Sequence, residues 1–258
     1  MKIQAASTSQ KSAFLQPFWT ALIGPPWLVS LATLFVIAGI RYIAVFSPYR
    51  LQALFFLQAV CMWAIPFVMM TPAGRRQIGL TERGVTPASI VLSGFVGALC
   101  GLILFSIGMA LYGLSPDNWC VSLRSYIHLD DMSGLMSPIG LFALYALPAI
   151  LINPVGEEIL FRGLIQQSFT RRFDPIFATF VSSLSFGLTY LYLHGLWHDG
   201  SGFHIRLVSA IVGILLMSTI GCVFTVCRMI SGSLWLAIAS HAAFNLTLLA
   251  LTIHKFLR

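Results

Sequence analysis

The stretch ALPAILINPVGEEILFRGLIQQSF at residues 146–169 combines an apolar run with two adjacent glutamates, Glu157 and Glu158. The rest of the chain is equally apolar: of 258 residues, 58% are hydrophobic and only 9% are charged. An ordinary soluble domain has roughly 25% charged residues, so lipid rather than water must cover most of this chain. The sequence therefore predicts an integral membrane protein, with the two glutamates set deep in its apolar sequence.

Seven apolar segments are long enough, at about 20 residues, to cross the hydrocarbon core of a bilayer. They lie at 27–46, 52–71, 88–113, 138–160, 175–196, 205–227 and 233–257. No internal repeat is visible, and no polar segment is long enough to form a separate soluble domain. We therefore expect one membrane-embedded domain over residues 1–258, an all-α polytopic bundle of about seven transmembrane helices around a polar cavity.

Basic residues are unequally distributed between the two sides of this bundle. With the N-terminus in the cytoplasm, the inner segments hold eight of them, Lys2, Lys11, Arg75, Arg76, Arg83, Arg171, Arg172 and Arg228. The outer segments hold five, Arg50, Arg124, Arg206, Lys255 and Arg258. This bias predicts a cytoplasmic N-terminus, and we expect a bacterial inner membrane protein. The net charge of +7 is scattered between the spans, so it does not indicate nucleic-acid binding.

The paired glutamates are the strongest functional signal in the sequence. A carboxylate at bilayer depth costs on the order of 3 kcal/mol, so an intramembrane pair is a functional hypothesis by default. Glu158 and Arg162 stand at i and i+4, within reach of an ion pair, and Glu157 points about 100° away around the helix. Pro148 and Pro154 predict a kinked or opened helix beside the pair. The alternative is a helix end at the membrane surface, carrying an ordinary ion pair.

Two other predicted spans carry polar residues in helical register. His241 and Asn245 stand at i and i+4 in the last span. Taken alone, they fit either hydrogen bonds across helices or a functional site. Phe186, Tyr190 and His194 recur every four residues in the fifth span, so we expect them along one helical stripe.

These side chains together favour the activation of water, because no Ser or Cys nucleophile stands beside a base. A buried glutamate can serve as general base and then as general acid. Histidine and asparagine donors can stabilise the oxyanion of a tetrahedral intermediate. Histidines with a glutamate can instead bind zinc, although no HExxH motif is present. We expect no cofactor, and the sequence leaves zinc open as the alternative.

Three short motifs follow one another on separate predicted helices: GEEILFRG at 156–163, SSLSFGL at 182–188 and SHAAFN at 240–245. In this order they resemble the CPBP family of intramembrane proteases, which includes CAAX prenyl endopeptidases of the Ras-converting type and the bacterial Abi proteins. RRQIGL at 75–80 resembles a segment that precedes the family's core, so the likeness covers roughly residues 75–250. The resemblance implies helices around a conical cavity and cleavage of peptide bonds near the membrane surface by a glutamate-activated water.

The resemblance also implies a role for each matching residue. Glu157 is the general base, Glu158 and Arg162 support it, and His241 with Asn245 forms the oxyanion site.

One position departs from the family pattern. The family's histidine, counted from Phe186, falls at Tyr190. His194 lies one predicted helical turn further and is expected to take that role, alone or together with Tyr190. The candidate catalytic residues are therefore Glu157, Glu158, Arg162, His194, His241 and Asn245.

The function favoured by these residues is an intramembrane endopeptidase. Its expected partners are membrane lipids and a peptide or protein substrate, lipidated or membrane-anchored. The main alternative is a non-catalytic binding, immunity or regulatory membrane protein of the same family, which would follow if Tyr190 has abolished catalysis. A third possibility is a small transporter in which Glu157 relays protons.

Overall fold

The computed structural model describes residues 13–46, 53–80, 84–127, 129, 132, 134–198 and 202–257. Five of the basic residues used to predict the orientation lie outside the described residues: Lys2, Lys11, Arg50, Arg83 and Arg258. The orientation of the bundle in the membrane therefore stays a prediction.

The described part of the chain forms ten helices and a two-stranded hairpin. The helices α1 to α10 are, in order, Pro17–Leu22, Pro26–Phe46, Ala53–Val68, Pro72–Gln77, Pro87–Tyr112, Trp119–Tyr126, Pro138–Thr170, Pro175–Thr189, Leu207–Ser231 and Leu234–Phe256. The strands β1 and β2 are Leu196–His198 and Phe203–Ile205, paired antiparallel between α8 and α9.

Five of these helices, α2, α5, α7, α9 and α10, are long and apolar enough to cross a membrane. The shorter apolar helices α3 and α8 coincide with the two remaining predicted spans. The predicted all-α polytopic membrane bundle is thus confirmed. Within the described residues it has five full-length helices rather than seven, because α3 ends at Val68 and α8 ends at Thr189.

Local side chains fix where the helices begin and end. The Thr86 hydroxyl caps α5, and the Ser89 side chain accepts in return from the Thr86 N–H. Asp174 caps α8 by accepting from two backbone N–H groups of its first turn. Gly232, with φ +70°, ends α9, and the Ser233 hydroxyl caps α10 immediately afterwards. Such caps satisfy backbone groups that a helix end leaves unpaired, so they set the register of the site-bearing helices.

Glycines bring the central helices into close contact. A Cβ atom on Gly97 of α5 would lie 1.8 Å from the carbonyl oxygen of Ser240 on α10. A Cβ atom on Gly187 of α8 would lie 2.7 Å from the carbonyl oxygen of Ile214 on α9. Small residues allow this approach, which is how membrane helices gain packing in the absence of a hydrophobic driving force. His241, next to Ser240, is therefore held at a defined distance from α5.

Helix α7 is not uniformly α-helical. π-Helical turns over Pro148–Ile152 and Ile159–Ile165 flank the regular turn Asn153–Glu158. Pro148 begins the first wide turn and supplies no N–H donor to it. The opened helix expected beside the prolines is therefore observed as two wide turns, a feature often found at functional sites.

Candidate active site

The two adjacent glutamates lie between the wide turns of α7 and point in different directions. Both are buried, with Glu157 1% exposed and Glu158 0% exposed. Glu157 lines a cavity of about 330 Å³, whereas Glu158 contacts α10 through His241. This burial excludes the alternative of an ordinary ion pair at a surface helix end.

Each carboxylate oxygen of Glu157 accepts one hydrogen bond from a residue outside α7. The guanidinium of Arg41, on α2, donates from Nη2 to Oε1 at 2.6 Å. The hydroxyl of Tyr190, the residue that ends α8, donates to Oε2 at 2.8 Å. The Arg41 guanidinium carbon also lies 5.3 Å from the centre of the Tyr190 ring. Glu157 is therefore held in one orientation at the cavity wall.

Glu158 forms the predicted ion pair with Arg162. Nη1 of Arg162 donates to Oε1 of Glu158 at 2.9 Å, and both side chains are 0% exposed. The rest of the guanidinium is also engaged: Nη2 donates to the carbonyl of Gly221 at 2.6 Å and Nε to the hydroxyl of Thr225 at 3.4 Å. Its carbon lies 4.8 Å from the centre of the Phe186 ring, within cation–π range. Arg162 thus ties α7 to α9.

His241 of α10 lies between the two carboxylates. Its Nδ1 is 2.8 Å from Oε1 of Glu158, and its Nε2 is 3.8 Å from Oε2 of Glu157. The imidazole stacks on the Phe224 ring, with 4.7 Å between the ring centres. With Glu158 ionised beside Arg162, the shorter contact requires a proton on Nδ1, because a carboxylate only accepts. Glu158 therefore orients His241 so that Nε2 faces Glu157.

Asn245 lies one turn after His241 and reaches the same cavity, but its amide has a partner. Nδ2 donates to the carbonyl of Ala149 at 3.1 Å, in the first wide turn of α7. The structure thus brings His241 to the carboxylates and Asn245 to the opened backbone beside them.

His194 is not where the helical stripe predicted it. Helix α8 ends at Thr189, so Tyr190 is its cap and His194 belongs to the turn that follows. His194 lines the cavity and packs beside Trp119, with 5.4 Å between ring centres. Neither of its ring nitrogens has a hydrogen-bond partner in the part of the chain that the structure describes. The stripe prediction is wrong, because the apolar run extends beyond the helix.

Arg41 and Gln58 were missed by the sequence reasoning. Arg41 is 4% exposed, and its Nε donates to Oε1 of Gln58 on α3 at 3.2 Å. The signal was present, because a lone arginine within an apolar span is costly, as a glutamate is there, and is a functional hypothesis by the same argument. The first predicted span, 27–46, contains this arginine but no acidic residue that could pair with it.

The cavity is less polar than the sequence predicted. Arg41, Glu157 and Tyr190 supply polar groups, but most of the wall is aliphatic or aromatic. The spans contribute mainly apolar side chains, and neither Glu158 nor Arg162 is among the residues that line it. A second cavity, of about 420 Å³, shares three wall residues with the first, namely Phe55, Tyr126 and Tyr192.

No metal-binding cluster is evident in the described ranges. Among the residues of 13–46, 53–80, 84–127, 129, 132, 134–198 and 202–257, no group of three or more His, Cys, Asp or Glu could hold a metal ion. The expectation of a cofactor-free site stays a prediction.

The fold and the site together define the class of this protein. It is an integral membrane protein built from apolar helices, with two carboxylates, two arginines and a histidine brought together beside a cavity that Arg41 and Glu157 line.

Residues 139–247 match the family model of the Rce1-like type II CAAX prenyl endopeptidases. This segment is thus similar to the Rce1-like endopeptidases, consistent with the CPBP/CAAX protease family that the motifs resemble. At family level, this supports a CAAX-type intramembrane protease acting on a peptide or protein. The matched segment contains all six candidate catalytic residues but not Arg41. No curated protein and no solved structure matches the chain.

Proposed function

We propose that this protein is an intramembrane endopeptidase in which Glu157 activates a water molecule for attack on a peptide bond. The observation that carries the proposal is the placement of Glu157. It is a buried carboxylate in a cavity wall, fixed by Arg41 and Tyr190 and 3.8 Å from the Nε2 of His241. That separation is longer than a direct hydrogen bond.

The reaction needs one group that takes a proton and returns it. Glu157 removes a proton from water while the water oxygen adds to the carbonyl carbon of the substrate. When the tetrahedral intermediate collapses, the carbon–nitrogen bond breaks and Glu157 returns the proton to the leaving amine. Both steps use the same carboxylate, so a second acid is not required.

Glu158, Arg162 and His241 support this chemistry from behind the cavity wall. Arg162 compensates the charge of Glu158, and Glu158 orients the imidazole of His241. In the family pattern, His241 and Asn245 stabilise the oxyanion. His241 can donate from Nε2 only as an imidazolium, because Nδ1 already carries the proton shared with Glu158.

The mostly apolar wall suits a lipidated or membrane-anchored substrate. A peptide that carries a prenyl group, or one that continues into a membrane anchor, can place apolar atoms against this wall and the scissile bond near Glu157.

The test uses purified full-length protein in lipid vesicles with internally quenched peptides that end in an S-farnesyl cysteine and three further residues. The parent should cleave them, and Glu157→Gln should lower the rate by at least about 10²–10⁴-fold, because the amide cannot take a proton. Cleavage in isotopically labelled water should place label in the new carboxyl group. Tyr145→Phe is a matched control, since it removes a hydroxyl from the same wall that bonds to the Ile127 carbonyl rather than to Glu157.

Near-normal cleavage by a folded Glu157→Gln protein would contradict the proposed mechanism. The same peptide without the farnesyl group separates a general peptidase from one that requires a lipid. If the folded parent cleaves neither peptide, the non-catalytic binding or regulatory function is favoured, and the observation behind it is Tyr190 in place of the family's histidine.

A further inference from the structure

We propose that Arg41 is a catalytic residue that binds the oxygen of the scissile carbonyl through Nη1 while it holds Glu157 through Nη2. The inference rests on the proposed function and adds a residue from α2, outside the segment that matches the family model.

Arg41 carries a charge at a buried position in an apolar helix, and two partners fix its orientation. It lies within the apolar helix α2 and is 4% exposed, so its charge needs compensation from inside the bundle. Glu157 supplies it at 2.6 Å, and Gln58 accepts from Nε at 3.2 Å. Two partners on two helices therefore fix the plane of the guanidinium.

One donor group of Arg41 remains. Nη1 is buried and has no hydrogen-bond partner among the described residues, although Arg41 lines the cavity. A guanidinium presents its donors in a planar fork, so Nη1 lies beside the Nη2 that touches Glu157. An oxygen atom bound to Nη1 is therefore adjacent to the carboxylate that activates water.

The other candidate donors either already have a hydrogen-bond partner or can donate only in one protonation state. The Asn245 amide donates to Ala149, and the Tyr190 hydroxyl donates to Glu157. His241 can donate from Nε2 only when doubly protonated. Arg41 is protonated at every physiological pH, so it is the donor that needs no further proton.

The step balances without another reactant. Glu157 takes a proton from water, the water oxygen bonds to the carbonyl carbon, and the carbonyl π electrons move onto the oxygen that Nη1 binds. On collapse the oxygen returns the electron pair, the carbon–nitrogen bond breaks, and Glu157 protonates the amine. Arg41 keeps its own protons throughout.

Arg41→Ala, assayed with the farnesylated peptide in vesicles, should lower kcat by about 10²–10³-fold with little change in KM, as expected for loss of an oxyanion donor. Guanidinium chloride at millimolar, non-denaturing concentration should restore part of kcat to Arg41→Ala. Sodium chloride and methylammonium at equal ionic strength should not. Arg76→Ala, which removes an exposed arginine outside the cavity wall, should show neither loss nor restoration.

Arg41→Lys keeps the charge and can reach Glu157, but it lacks the fork. It should fold, and its kcat should stay well below that of the parent, which keeps the inference testable if Arg41→Ala is unstable.

Normal kcat in folded Arg41→Lys or Arg41→Ala overturns the inference and leaves the proposed function intact, provided that the parent cleaves and Glu157→Gln does not. A loss of kcat that guanidinium does not restore in folded Arg41→Ala also overturns it. Absence of cleavage by the folded parent overturns the proposed function and the inference together.

Discussion

Two glutamate–arginine pairs stand side by side in this protein and differ in almost every respect. Glu158 and Arg162 belong to one helix and are fully buried, and all three guanidinium nitrogens of Arg162 have partners. Glu157 and Arg41 join two helices at the cavity wall, and Nη1 of Arg41 has no partner among the described residues. A rotation of about 100° between adjacent residues separates them. The saturated pair is suited to holding the fold, and the unsaturated one to binding a substrate.

The largest effect should come from breaking the saturated pair. Arg162→Ala leaves Glu158 as a buried charge without its cation, so the free energy of unfolding should fall by roughly 3–5 kcal/mol. Denaturant unfolding of the purified protein in detergent measures it. Replacing Glu158 with Gln in that background should recover part of the loss, whereas Arg76→Ala, which removes an exposed arginine, should change little. Additive single and double variants would show that the two side chains are not coupled.

A smaller effect, on activity rather than stability, should follow at the unsaturated pair. Tyr190→Phe removes the donor to Oε2 of Glu157. A hydrogen bond to a charged group contributes about 1.5–3 kcal/mol, so kcat/KM should fall about 10–100-fold. Tyr190→His places the family's residue beside Glu157 and should be more active than Tyr190→Phe. Equal activity of the parent and both variants would remove Tyr190 from the site.

The smallest effect should come from His194, which belongs to neither pair. Because its ring nitrogens have no hydrogen-bond partner in the described structure, His194→Leu should keep kcat/KM within a few-fold of the parent. Steady-state cleavage of the same peptide measures this. A loss of about 10²-fold or more would return His194 to the role of acid–base partner that the sequence assigned to it.

Hydropathy was enough to locate the membrane helices, since every predicted span overlaps an observed helix. The Glu158–Arg162 pair also followed from sequence, because partners four residues apart on a helix meet whatever surrounds them. Contacts within one helix are local, so the spacing predicts that the two side chains meet. The tertiary structure determines how deeply the pair is buried.

The partners across helices could not be predicted in this way. Arg41 and Glu157 are 116 positions apart, and no pattern in either segment identifies the other as its partner. The end of α8 was equally hidden, because leucine and aromatic residues continue in the run that follows Thr189. Gly195, with φ +138°, lies in the turn after that end, and a window of mean hydropathy does not register such a turn.

The wide turn at Pro148–Ile152 allows α7 to lose a residue without a change in which side chains of the following turns face the cavity. A π turn holds one residue more than an α turn, because its hydrogen bonds span five residues rather than four. Loss of one residue inside this turn would restore regular geometry and leave Glu157 facing the cavity, at the expense of the Ala149 carbonyl that receives Asn245. Loss of one residue from Pro138–Leu147 would instead turn the following helix by about 100° and present Glu158 to the cavity. The effect of an insertion or deletion therefore depends on its place in this helix. Because the two glutamates are adjacent, activity reports which of them faces the cavity.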